Sequence, residues 1–265
     1  MIRKGLLDSK LTTIQKICLS GLFIAIVTIL QKVLAINYIP IVPFLRISLG
    51  GPGLIIFSSI FLGPIYGLFI GAASDVLGYF LLDPKMMGFL PQITAIYAVL
   101  GGLAFFIFWL FKKIHNDKIM LIIEGSVFAL LIAGITLYLF LKPNLQLYSS
   151  TYTLLLWQKI LIPSILLVLF SALFVSSILF NKYYKKETLP INPISISFSC
   201  FVTELIVMVI FGSLMKGFAF GFNTYPMILL CQIIVLFINV PLNTWLIILL
   251  LRLTKRFYNE SDGSI

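Results

Sequence analysis

GPGLIIFSSIFLGPIYGLFIGAASDVLGYFLL, residues 51–82, carries a single charged side chain, Asp75. A helix needs about 20 apolar residues to cross the hydrocarbon of a bilayer, and this run exceeds one crossing. Gly63-Pro64 interrupts it. Proline suits the first position of a helix and glycine the residue that precedes it, so the run reads as two short helices, 51–63 and 64–82.

The same pattern extends outward in both directions. Apolar runs bounded by charge clusters, proline and glycine lie at about 14–36, 90–112, 119–141, 156–180, 194–216 and 226–253. With the central pair they predict an all-α membrane bundle of about eight spans, folded as one integral domain over 1–265. Composition agrees: of 265 residues 60% are apolar and 11% charged, and mean hydropathy is +1.11. A soluble domain carries about a quarter charged residues, so a cytosolic enzyme, a secreted disulfide scaffold and a disordered chain are all excluded. Cys18, Cys200 and Cys231 fall inside apolar runs with no CxxC spacing, which suggests neither metal nor disulfide. The first run is too long for the apolar region of a cleaved signal and lacks a small-residue cleavage pattern, so it is expected to stay as a helix.

Lys and Arg number 19 against 9 Asp and Glu, a net charge of +10. Arg3, Lys4, Lys10 and Lys16 precede the first run; Lys112, Lys113 and Lys118, then Lys182, Lys185 and Lys186, then Arg252, Lys255 and Arg256 occupy every second connection after it. Lys32, Arg46, Lys85, Lys142, Lys159 and Lys216 are scattered over the others. Positive charge marks the cytoplasmic side, so both termini are expected there, and the basic excess reports topology rather than nucleic-acid binding. Merging 51–63 with 64–82 would put the N-terminus and the Lys112/Lys113 loop on opposite sides, against this alternation.

Gly21 and Ala25 share one face of the first run. Small residues four apart let another helix come close, either one of the chain's own or one belonging to a separate subunit. Gly63, Gly67, Gly71 and Gly78 form a stripe beside Asp75 and predict a close helix crossing; the carboxylate then serves as a polar anchor near an outer ligand cavity or makes a structural hydrogen bond to a loop backbone. Glu124 is expected towards the inner interface. Glu204, mid-run, needs a partner, and Gln232, Asn239 and Asn243 offer amides on one helix face. Arg46, beside Phe44 and with Lys85 in the next outer loop, can grip a carboxylate or act as an interfacial anchor. There is no G-x-x-x-x-G-K-[ST], H-E-x-x-H or G-x-S-x-G, and the one histidine, His115, lies in an inner loop. Ionisable groups within the runs are few and separated, which disfavours a proton relay.

Residues 46–103, RISLGGPGLIIFSSIFLGPIYGLFIGAASDVLGYFLLDPKMMGFLPQITAIYAVLGGL, resemble the substrate-binding S-components of energy-coupling-factor (ECF) vitamin transporters, and within them the folate-type family. The resemblance rests on Arg46, Gly63-Pro64, Gly67, Gly71, Asp75, Gly78, Pro84, Gly88-Phe89, Pro91 and Gly101-Gly102. It covers about 14–112 and fades beyond. Leu90-Pro91-Gln92 stands where the family has aromatic-Pro-Gly, and eight runs stand where it has six spans, so 113–193 is expected to hold an extra hairpin and 194–253 the last two spans.

The resemblance implies a multi-pass subunit of the prokaryotic plasma membrane that binds folate or a related small anionic vitamin at its outer face. Phe44, Arg46, Ser48, Asp75, Lys85, Phe89 and Gln92 would line the site. Gly21 and Ala25 would dock on a transmembrane coupling subunit served by two ATPase subunits. The chain itself would carry no cofactor and catalyse nothing. The alternative from the residues alone is a stand-alone secondary transporter of a small organic anion, with Glu204, Asn239 and Asn243 as its ion-coupling site.

Overall fold

The computed structural model describes residues 11–35, 48, 50–82, 89–112, 116–142, 144–147, 150–184 and 192–254. Helix α1, Thr13–Lys32, begins with a reciprocal cap: the Gln15 amide donates to Thr12 Oγ1 and the Thr12 amide to Gln15 Oε1. It stops at Lys32, short of the expected 36. Helix α2, Gly51–Leu62, has proline in its first turn and ends on Gly63, whose φ of 107° is open to glycine and strained for other residues. Pro64 then starts α3, Pro64–Leu82, so the central run breaks where the sequence places the break.

Helices α4, Pro91–Lys112, and α5, Asp117–Leu141, follow, the second capped by the Asn116 side chain. The connection that follows α5 contains an antiparallel pair, β1 Asn144–Leu147 and β2 Ser150–Thr153, with Asn144 opposite Thr153. Thr151, Tyr152 and Thr153 favour extended backbone. Helix α6 is Leu156–Tyr184. Helix α7, Pro193–Glu204, runs through a π-helical segment, Leu205–Phe211, into α8, Gly212–Phe220. The helix therefore passes residue 216, where a connection is expected, and ends only at Gly221, with φ 92°. A 3-10 turn, Phe222–Thr224, leads into α9, Tyr225–Leu253.

Among the described residues six helical segments are long and apolar enough to cross a membrane: α1, α3, α4, α5, the composite Pro193–Phe220, and Phe222–Leu253. The α2 helix and the Leu156–Ala172 part of α6 are shorter apolar helices. Large apolar side chains such as Ile14, Phe69, Phe80, Leu130, Trp157 and Leu249 cover the outside of the bundle. Water does not tolerate apolar surface on that scale and lipid does, so the chain is a multi-pass membrane protein.

Two apolar cores lie on either side of a shared wall. One joins α1, α2, α3 and α4 to α7 and α9 through Phe23, Val27, Phe57, Ile70, Leu100, Ile196 and Ile247. The other joins α5 and α6 to α7 and α9 through Phe128, Leu166, Phe201 and Phe237. Because α7 faces both cores, it is buried almost throughout. Every residue of α2 is buried too, enclosed by α1, α3, α4 and α9.

Candidate functional site

The glycine stripe forms a seam between α3 and α4. A Cβ on Gly71 would run into the Tyr97 carbonyl, and one on Gly101 into the Gly67 carbonyl; the backbones approach too closely for any side chain. Further along, Gly78 lies under the aliphatic stem of Lys32, which brings α1 onto the same face of α3. Thr28 Oγ1 ties these two helices by donating to the Ser74 carbonyl at 3.2 Å.

Asp75 sits where the three helices meet. Its Oδ2 accepts from Thr94 Oγ1 at 2.7 Å, and its Oδ1 lies 3.7 Å from Lys32 Nζ. The pair is largely enclosed, with side-chain exposures of 10% for Lys32 and 6% for Asp75. Both of these partners come from helices, and the loop that follows α3, residues 83–88, lies outside the described residues. Lys32 has no linear signal for this pairing: its number in the chain places it only at the end of a run.

Phe89 stands near the same end of α3, its ring 5.3 Å from Tyr79 and 5.8 Å from Phe80. Gln92 Oε1 and Ser48 Oγ are buried without a hydrogen-bond partner. Phe44, Arg46 and Lys85 lie outside the described residues, as do Pro84, Gly88 and His115. Of the proposed binding residues, the structure thus places Asp75, Phe89 and Gln92 about the junction of α3 and α4, and Ser48 ahead of α2.

Gly21 and Ala25 are exposed, and a Cβ on Gly21 would meet nothing within 4 Å. The described helices of the chain leave this face of α1 bare, with Ile14, Leu22, Ile26 and Ile29 beside it.

A second polar centre runs along α7. Ser199 and Thr203 return their hydroxyls to carbonyls one turn back, each at 2.6 Å, so they bring no unmet demand into the core. Ser197 donates to Glu124 Oε1 of α5 at 3.2 Å; Glu124 is buried in the bundle and not at an interface, because α5 turns that face onto α7. Glu204, also buried, accepts from Asn243 Nδ2 at 2.5 Å. Gln232, offered as a further partner from its face on α9, makes no bond to it and is half-buried. Gly53 makes room for Asn243, since a Cβ there would fall 2.6 Å from Asn243 Oδ1. Among the described residues no three His, Cys, Asp or Glu side chains converge as a metal cluster.

No family model, curated protein or solved structure matches this chain.

Proposed function

We propose that the chain is the substrate-binding subunit of an ECF-type importer in a prokaryotic plasma membrane, with about eight spans and both termini cytoplasmic. It takes folate or a related small anionic vitamin at its outer face. Arg46 grips the carboxylate and Phe44 stacks beside it, with Ser48, Asp75, Lys85, Phe89 and Gln92 completing the site. A coupling subunit and two ATPase subunits supply the energy. This chain catalyses no step.

The observation that carries the reading is the bare small-residue face at Gly21 and Ala25. A helix that packs only in lipid gains nothing from a flat face, whereas one that must let another helix approach does. Gly21→Leu or Ala25→Leu should therefore abolish vitamin uptake and pull-down of the coupling complex, while vitamin affinity of the purified chain stays unchanged. Normal uptake in both variants, or loss of stability together with affinity, removes docking at this face.

A further inference from the structure

We infer that Glu204, Asn243 and Asn239 form a binding site for a monovalent alkali cation in the core of the bundle, independent of the vitamin reading. Glu204 is 1% exposed, and among the described residues no basic side chain pairs with it; its one bond is the Asn243 amide. Ionised carboxylates held out of water need a positive partner, and one amide N–H supplies only a partial charge.

Two amide oxygens on the facing helix, α9, have nothing to accept from. Asn243 Oδ1 and Asn239 Oδ1 are both buried without a donor, and the two asparagines lie one turn apart on the same face of α9. A proton on Glu204 would add a single O–H, enough for one amide oxygen at most, and leave the other orphaned. A cation satisfies carboxylate and amide oxygens together. One carboxylate balances one positive charge, so a monovalent ion leaves the site neutral and a divalent ion does not. Oxygen donors without imidazole or paired thiolates suit a hard cation of the alkali type. Cys200, one turn before Glu204 on α7, is a single buried thiol and does not alter that donor set.

The backbone at this level departs from regular helix on both sides. The π-helical segment Leu205–Phe211 starts immediately after Glu204, and Pro241 stands between the two asparagines, where it removes one backbone donor from α9. Such interruptions at membrane depth are tolerated where they are enclosed by protein, and helix breaks of this kind accompany buried ions.

The test uses the purified full chain in lipid nanodiscs, without vitamin or coupling subunits, so its outcome is separate from that of the docking experiment. Thermal unfolding is followed in NaCl, LiCl, KCl and choline chloride at equal ionic strength. An alkali ion should raise the unfolding temperature saturably above choline, and Glu204→Gln should remove the shift. Should Glu204→Gln fail to fold, Asn239→Ala, which keeps the Glu204–Asn243 bond, should move the half-saturating concentration upward by at least tenfold. Equal unfolding temperatures in all four salts overturn the site, as does a full shift in Glu204→Gln or an unmoved midpoint in Asn239→Ala.

Discussion

Asp75 and Lys32 are bound to each other but do not depend on each other equally. Lys32 is the last residue of α1, and its long stem allows the ammonium to swing towards the interface when the carboxylate is lost. Asp75 lies inside α3 on a short side chain beneath Gly78, so it has no such escape. Lys32→Met should then cost on the order of 3 kcal/mol, the scale of an uncompensated enclosed charge. Asp75→Asn keeps an oxygen for Thr94 and should cost about 1 kcal/mol. The double variant should recover most of the Lys32→Met loss, because no charge is then left unpaired. Chemical unfolding of the three variants measures this, and equal single losses that simply add would dissolve the pair as an energetic unit.

Neighbouring glycines on α4 separate packing from propensity at the scale of the element. Gly101 faces the Gly67 carbonyl, whereas a Cβ on Gly102 would sit 3.6 Å from Leu68 Cδ1, ordinary contact. Alanine improves helix propensity by up to about 1 kcal/mol at either position. Gly102→Ala should therefore hold or raise stability, and Gly101→Ala should lower it by about 1–3 kcal/mol as α3 and α4 are pushed apart. Matching melting temperatures for the two variants would mean that the seam yields freely. The seam itself was legible in the sequence, because glycines at intervals of four have one geometric consequence on a helix. Helices were legible for a similar reason: lipid demands long apolar runs, and Gly63-Pro64 leaves one obvious break. The Glu204–Asn243 bond was in reach because a mid-run carboxylate must find a donor and α9 carries amides on one face. The Lys32–Asp75 contact was not, since nothing in a linear pattern says which charged ends of different helices converge. Nor was the π-helical segment, whose apolar residues fit a regular helix equally well. The β1–β2 pair lies in a stretch too short for alternation to stand out from a loop.

For the whole molecule, α2 decides on which side everything before it lies. At 12 residues and about 1.5 Å per residue it reaches roughly 18 Å, well short of a hydrocarbon core of about 30 Å. In lipid such a helix would leave polar backbone exposed at its ends. Here all its residues are buried between α1, α3, α4 and α9, so its ends meet protein instead, and the length rule for a lipid-facing span does not apply to it. It still reverses the chain, since Gly63 turns directly into α3. Counting it as a crossing places Thr12 and Asn116 on one side of the membrane; omitting it places them on opposite sides. The topology we propose from the charge clusters on alternate connections takes the first arrangement. With Cys18, Cys200 and Cys231 replaced by serine, single reporters Asp8→Cys, Asn116→Cys and Ser261→Cys should all react with an impermeant thiol reagent only from the cytoplasmic face. A reporter at Ser149→Cys, between β1 and β2, should react only from the outer face. Labelling of Asp8→Cys and Asn116→Cys from opposite faces would show that α2 is a re-entrant element, and the proposed outer site ahead of it would then lose its access to the vitamin.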